Sequence, residues 1–417
     1  MKYIPRIVDE ELETKLKSRG AIYIDGPKWC GKTTTAEKHA KSVVYMQDED
    51  SNNLAMAEIK PSELLKGKNP RLIDEWQMAP KLWDAIRFSV DQREGHGLYI
   101  MTGSVSVKWK EKKHSGMGRM SRIRMRTMSL WESGNSTGEV RLCNLFQPDD
   151  VSGHSDLDLD DIADLVTRGG WPGAAGFDSQ TARGIVAEYC DLLLDSEIMS
   201  IDGRNRSKDK MKALLKSLSR NTSTQVSNAK LIEDIEAHEG KKNSVSVNTI
   251  SDYLSVLERA NVTEDLEAWS TSLRSKDIVR SSPTRHMTDP AIAAYFLNAK
   301  PANLKGDLKT FGTLFESLVI RDLRVYAQSI GGEVYHYRDS RDLEADAIVL
   351  LDDGRWGAIE VKLGPSRVDE AADHLKTLAE RVDNGTEPSF LAVIIGWGYA
   401  YTRPDGVHVI PIGCLRN

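Results

Sequence analysis

Residues 26–33 read Gly26-Pro27-Lys28-Trp29-Cys30-Gly31-Lys32-Thr33, a complete GxxxxGK[ST] pattern. No other segment of the chain limits the fold so strongly, because such a loop works only between a buried strand and a helix. Both neighbours are present: Ala21–Asp25 is a short apolar strand candidate, and residues 34–42 read as a helix. The glycines let the backbone wrap so that its N–H groups face phosphate oxygens, and the helix amino terminus adds positive potential. The pattern therefore predicts a phosphate cradle made of Gly26, Pro27, Lys28, Trp29, Cys30, Gly31, Lys32, Thr33 and Thr34. Lys32 is expected to reach the β- and γ-phosphates of a nucleotide, and the Thr33 hydroxyl to ligate Mg²⁺.

A second half-site follows about 40 residues on. Arg71-Leu72-Ile73-Asp74-Glu75 is a buried-strand pattern that ends in two carboxylates. Asp74 is placed to hold the metal, and Glu75 to polarise the attacking water. The simpler reading has the pair capping the next helix. An Asp-Glu pair behind a phosphate loop points to ATP hydrolysis beyond mere binding, and no guanine-reading NKxD element is visible. A third strand, residues 97–102, runs into Thr102-Gly103-Ser104. Thr102 or Ser104 is a candidate sensor of the γ-phosphate, with an ordinary turn as the alternative. Arg119, in Gly118-Arg119, is a candidate arginine finger acting in cis or across a subunit interface. It equally suits a basic face touching nucleic-acid backbone.

Charge and cysteine usage narrow the class. Lys+Arg total 56 and Asp+Glu 62, giving a net charge of −6, which excludes a globally basic nucleic-acid binder but not a local patch. The four cysteines, Cys30, Cys143, Cys190 and Cys414, form no CxxC pair, so a reducing cytoplasmic compartment is expected. The amino-terminal residues show no apolar signal-peptide core, and the longest apolar run, residues 391–401, is too short to span a membrane.

A chain of 417 residues exceeds one hydrophobic core, so two to four domains are expected. Charge blocks mark the boundaries. Residues 108–126 hold eight basic residues and one acidic one, whereas residues 149–164 hold seven aspartates and no Lys or Arg, the pattern of a solvated loop or linker. Apolar residues at three- and four-residue spacing predict helices over 208–219, 228–239 and 248–260. A helix over 311–329 then gives way to strands over 334–338, 345–351, 356–362 and 390–396, with an Asp353-Gly354 hairpin turn between two of them.

That last stretch carries a second set of candidate chemistry. Residues two apart on a strand share a face, so Glu360 and Lys362 point together, and Asp346 meets them across the hairpin. Asp346 and Glu360, with Glu316 on the preceding helix, are candidate metal ligands. Lys362 is a candidate for activating water or stabilising charge in phosphodiester cleavage. An ordinary half-buried strand with a solvated polar face is the alternative. The Asp…Glu-x-Lys arrangement resembles the restriction-endonuclease-like fold, which also hosts binding-only members.

Taken in order, the phosphate loop, Leu72–Glu75, Thr102–Ser104, Gly118-Arg119, Gly169-Gly170-Trp171-Pro172, residues 248–254, Thr288-Asp289-Pro290, Gly312–Glu316 and Ile359–Lys362 resemble the AAA-type ATPases with a DUF4143 C-terminal region. The family's Glu-Val-Asp strand appears here as Glu344-Ala345-Asp346. The resemblance implies an α/β multidomain fold: a P-loop parallel-sheet ATPase domain (1–145), an acidic linker and helical connector (146–205), a winged-helix-like middle (206–280) and a DUF4143-type, restriction-endonuclease-like α/β domain (281–417). It implies ATP and Mg²⁺ as cofactors and leaves room for a homo-oligomer and for a nucleic-acid or protein partner. In a DNA reader, Asn248, Thr249 and Ser251 on the third middle helix would meet base edges. That region, 244–267, carries five acidic residues and one basic one, which favours a spacer or protein-contact module equally. Three functions fit: ATP hydrolysis that drives or gates a nuclease-like module, a nucleotide-gated protein-binding switch with an inactive nuclease fold, and a DNA-processing or defence nuclease.

Overall fold

The computed structural model describes residues 3–93, 95–104, 118–198, 206–240, 245–270, 282–339, 343–382 and 386–417. Most of the basic run, residues 105–117, lies outside the described residues. The chain divides into two compact units, Met1–Thr127 with Glu258–Asn261, and Met128–Leu257 with Val262–Asn417. Among the described residues no helix is long and apolar enough to cross a membrane.

The first unit is built on five parallel strands: β1 (Ala21–Asp25), β2 (Ser42–Tyr45), β3 (Arg71–Asp74), β4 (Tyr99–Gly103) and β5 (Met120–Arg124), in spatial order β2-β3-β4-β1-β5. A parallel sheet is covered on both faces, so its central strands bury side chains in both directions. β1 is buried at all five positions. Ile22 and Ile24 pack with Leu12 of α1 (Val8–Leu16) and Ala36 of α2 (Lys32–His39). Ala21 and Tyr23 pack the other way, with Trp76 and with Trp83 and Ile86 of α5 (Lys81–Arg93). The helices α3 (Asn53–Ile59) and α4 (Pro61–Leu64) lie between β2 and β3 in sequence. The helix after the phosphate loop starts at Lys32 and stops at His39, two residues earlier at its start and three earlier at its end than the pattern predicts. Ala40 is extended, and Ser42 begins β2, which pairs with β3.

The second unit holds a seven-stranded mixed sheet ordered β7-β12-β13-β11-β10-β9-β8. Its strands are β7 (Ser152–Ser155), β8 (Gly332–Arg338), β9 (Glu344–Leu351), β10 (Trp356–Lys362), β11 (Phe390–Ile395), β12 (Gly398–Thr402) and β13 (His408–Pro411). A two-stranded pair, β6 (Val140–Arg141) with β14 (Leu415–Arg416), stands beside it in the same unit. The β9–β10 hairpin turns at Asp353-Gly354, where Gly354 takes φ 88°, a left-handed value that suits glycine.

The acidic stretch is more ordered than a solvated linker. Ser152–Ser155 pairs antiparallel with Gly398–Tyr401 and forms the sheet's edge. Asp158 caps α6 (Leu159–Arg168) by accepting from the Asp160 and Asp161 backbone N–H groups, and the Asp161 carboxylate closes a capping box. The aspartates thus favour a helix amino terminus, where negative charge is stabilised. After α7 (Ser179–Leu192) come α8 (Lys208–Arg220), α9 (Asn228–Glu239) and α10 (Val247–Arg259), close to the three predicted spans. Isolated antiparallel bridges then join Thr263 to Met287 and Leu266 to Thr284. Helices α11 (Pro290–Phe296) and α12 (Pro301–Leu304) lead into α13 (Leu308–Ser329), which packs on β8, β9 and β10, and α14 (Val368–Arg381) packs on β10 and β11.

Candidate functional site

The phosphate loop leaves the carboxyl end of β1, where an open parallel sheet presents its ligand crevice. Gly26 has φ 154°, and a Cβ there would lie 2.0 Å from the Met125 carbonyl oxygen, so the loop requires glycine at this turn. Gly31, with φ 100°, opens α2. The Lys32 ammonium is buried and donates to the carbonyls of Gly26 (3.0 Å) and Pro27 (2.8 Å), which holds it inside the loop's curve. Arg6 braces the loop from behind by donating to the Cys30 carbonyl at 2.7 Å. The Cys30 thiol is buried against the Met125 carbonyl. Trp29, with φ 65°, is 41% exposed.

Because β4 lies between β1 and β3, the sheet order brings Thr33, Asp74 and Thr102 together. Asp74 Oδ1 accepts from the Thr33 hydroxyl at 2.7 Å and from the Thr102 hydroxyl at 2.5 Å. Glu75, the next residue, sits in a left-handed conformation, φ 53° and ψ 42°. Its carboxylate accepts from the Ser104 hydroxyl at 3.1 Å and from the Gln77 amide. The Ser104 carbonyl in turn accepts from the Asn261 amide at 3.1 Å. An acidic carboxylate and a hydroxyl on adjacent elements are oxygen donors suited to Mg²⁺, so the residues fit that ion.

In the second unit, Asp346 and Glu360 stand opposite each other, one position beyond the paired Ala347 and Ile359. Asp346 accepts from the Val361 backbone N–H at 2.7 Å. Glu360 is almost fully buried; one oxygen takes the Lys362 ammonium at 2.5 Å and the other faces His374 Nδ1 at 3.0 Å. Burial, then the neighbouring Glu360 carboxylate, push Asp346 up to about 7. Burial and the charge of Asp346 raise Glu316 well above the usual carboxylate range. Burial works against the Lys362 ammonium, but Asp346 and Glu360 raise it above its ordinary value. The four groups therefore share one electrostatic neighbourhood. Even so, among the described residues no three His, Cys, Asp or Glu side chains are arranged to hold a metal ion, and the Glu316–Asp346–Glu360 set is not gathered as one. The ammonium of Lys362 is the cation paired with Glu360.

Family profiles match the segments that hold both clusters. One described as an AAA domain matches residues 18–133, and the DUF4143 profile, a domain of unknown function, matches residues 311–415. The chain carries an AAA-type P-loop domain and a DUF4143 C-terminal region. Between the two, a further domain of unknown function, DUF8612, matches residues 159–303. No curated protein matches. Among solved structures the chain is similar to a Walker-type ATPase of Pyrococcus abyssi. The identity is 13%, the match covers 69% of this chain and 94% of that one, and the TM-score is 0.44.

Within the AAA domain, the arginine singled out by sequence lies at the wrong end of the sheet for its own loop. Arg119 immediately precedes β5, and its carbonyl accepts from Gly20 and Ala21 at the amino-terminal start of β1. Its guanidinium pairs with Asp91 of α5. The five residues of β1 separate that edge from the phosphate loop, about 16 Å at ~3.3 Å per residue. Arg122 instead reaches the loop's start, pairing with the fully buried Asp25 through Nε at 2.9 Å and through Nη2. Sequence reading also passed over Gln77 and Asn261, which hold Glu75 and Ser104, and His374 of the DUF4143 region. None of these lies in a recognisable spacing. Asn248 and Ser251 of α10 are exposed, whereas Thr249 is tied to Ser246 at the helix start.

Proposed function

We propose that the AAA domain binds ATP with Mg²⁺ and hydrolyses it, and that this cycle gates a nuclease-like DUF4143 module. The supporting observation is the convergence of Thr33 and Thr102 on Asp74 behind a complete phosphate loop. The Lys32 ammonium exchanges the Gly26 and Pro27 carbonyls for phosphate oxygens, a charge-assisted contact roughly twice as strong as a neutral one. Thr33 and Asp74 would hold Mg²⁺, which supplies charge neutralisation at the β- and γ-oxygens. Glu75 accepts the proton of the attacking water, and Ser104 and Gln77 hold its carboxylate in place. Thr102 holds Asp74 in place. A finger role for Arg119 requires a second subunit.

The assay is phosphate release from Mg-ATP by the full chain, with Lys32→Ala and EDTA as controls. Turnover in wild type that disappears in both controls supports the reading. No release with Mg²⁺, with or without nucleic acid, refutes it.

For the remainder of the chain the proposal keeps a winged-helix-like middle over 206–280 and a restriction-endonuclease-like domain over 281–417. Support comes from the three helices followed by antiparallel bridges, and from the α13-β8-β9-β10-α14-β11 order around the carboxylates. The middle suits a spacer better than a base reader, because Asp252 lies on α10 and Thr249 is spent on the cap. A second reading makes the DUF4143 module bind without cutting, a nucleotide-gated switch. The Lys362–Glu360 pair favours it, since this ammonium neutralises a carboxylate that a metal would need. Incubating DNA and RNA with Mg²⁺ or Mn²⁺ separates the two: cleavage lost in Asp346→Ala and Lys362→Ala supports the nuclease, and no cleavage supports the switch.

A further inference from the structure

The AAA domain carries a second concavity away from its phosphate loop. It has a volume of about 720 Å³ and is lined by residues of α4, α5 and the segments beside them. That size lies within the ~300–1,000 Å³ usual for binding clefts. Its place in the fold separates it from the nucleotide. Tyr99, which contributes to its floor, is the first residue of β4, and Leu65–Gly67 lead toward the start of β3. The concavity thus opens at the amino-terminal edge of the sheet, whereas the phosphate loop, Asp74 and Thr102 lie at the carboxyl edge.

Its lining has two features that point to an occupant. The first is an apolar bed with unburied lips. Leu65 and Tyr99 are buried beneath, but Ile59 is 83% exposed and Phe88 60% exposed at the rim. A small molecule within the cleft leaves these two side chains wet; a chain segment lying across it covers both. The second is charge. Lys60, Lys66 and Arg93 line the cleft, and among the described residues no carboxylate does. Glu63, outside the lining, pairs with Lys60 at 2.7 Å and with Lys66 at 2.6 Å, which among the described residues leaves two positive charges in excess. This occurs on a chain whose net charge is −6. Complementary charge steers encounter and selects the partner.

We propose that this cleft docks an acidic peptide segment of a partner protein, with one bulky apolar side chain of that segment seated against Phe88 and Leu65. The proposal stands apart from ATP hydrolysis.

The test uses the full chain. Short random peptides displayed on phage are selected on wild type, and the enriched ones are synthesised with a fluorescent label for anisotropy titration. The expected sequences combine Asp or Glu with Phe, Trp or Leu. Phe88→Asp is expected to weaken them by about tenfold or more. Lys60→Glu with Lys66→Glu is expected to weaken them and to flatten their salt dependence. Both sites are on the surface, so neither variant removes core packing, and Lys32→Ala is expected to bind the peptides as wild type does. Enrichment of no peptide, enrichment of neutral or basic ones, or equal binding by Phe88→Asp overturns the proposal. Light scattering that shows a wild-type oligomer dissociated by Phe88→Asp also overturns it, since the cleft then receives a second copy of the chain.

Discussion

Replacing Glu75 with Gln tests the hydrolytic role of the AAA domain while leaving the shape of the site intact. The carboxylate accepts from two donors, Ser104 and Gln77. Glutamine keeps one carbonyl oxygen for one donor and turns an N–H₂ toward the other. Among the described residues the buried Oε1 of Gln77 has no hydrogen-bond partner, so rotation of that amide gives the new N–H₂ an acceptor. The change then trades two charge-assisted bonds, worth ~1.5–3 kcal/mol each, for neutral ones at ~0.5–1.5, a stability cost of about 1 kcal/mol per bond and about 2 kcal/mol in all. Loss of a general base is larger, about 10²–10⁴ in rate, or roughly 3–5 kcal/mol at ~1.4 kcal/mol per tenfold. The assay is phosphate release at saturating Mg-ATP, paired with a nucleotide titration and a thermal melt. Expected are near-normal affinity, a small fall in Tm and turnover reduced at least about a hundredfold. Turnover within about threefold of wild type removes Glu75 from the proton transfer and refutes the assignment.

Other perturbations probe separate parts of the chain. Gly26→Ala drives a Cβ against the Met125 carbonyl at a left-handed φ, so nucleotide binding should fail and the melt should fall by about 1–3 kcal/mol; unchanged affinity contradicts the tight-turn account. Lys362→Met strands the buried Glu360 beside Asp346, and urea unfolding should register a loss of about 3 kcal/mol that Glu360→Gln in the same chain largely restores; additive losses instead refute the pairing. Burial lowers His336 to about 4 in the fold, against ~6.5 when unfolded. Its contribution is therefore whole above about pH 6.5 and drains as pH falls toward 4, about 3 kcal/mol at ~1.36 per unit. Melts of wild type and His336→Gln across that window should converge at the acid end, and parallel curves would show that His336 carries none of the acid sensitivity.

What the sequence disclosed follows the range of each signal. The phosphate loop, the strand ending in Asp74-Glu75 and the β9–β10 hairpin are local, each fixed by residues within one strand-turn unit, and they stand where the pattern put them. Asp346 and Glu360 were placed face to face by strand register alone, which a two-residue period makes predictable. The pairing of Lys362 with Glu360 was not legible, because it depends on which way the ammonium turns. The distance of Arg119 from its own phosphate loop was not legible for another reason: a basic residue near a strand says nothing about which end of the sheet it occupies. The partners of Glu75 and Glu360 needed tertiary contacts, from Gln77 in the turn beyond it and from His374 on α14, that no spacing encodes.

The pairing of β7 with β12 has a consequence for how the polypeptide is made. Ser155 lies opposite Gly398, and 398 − 155 = 243 residues separate them. Synthesis at ~5–20 residues per second leaves the edge strand without its partner for about 12–50 s, far longer than hairpins and helices take to form. Throughout that interval its unpaired N–H and C=O groups are a template for foreign strands. Two serines, a glycine and a histidine, flanked by aspartates, are a poor target for such pairing. The polar, acidic character of this stretch thus protects a strand that must wait for its neighbour.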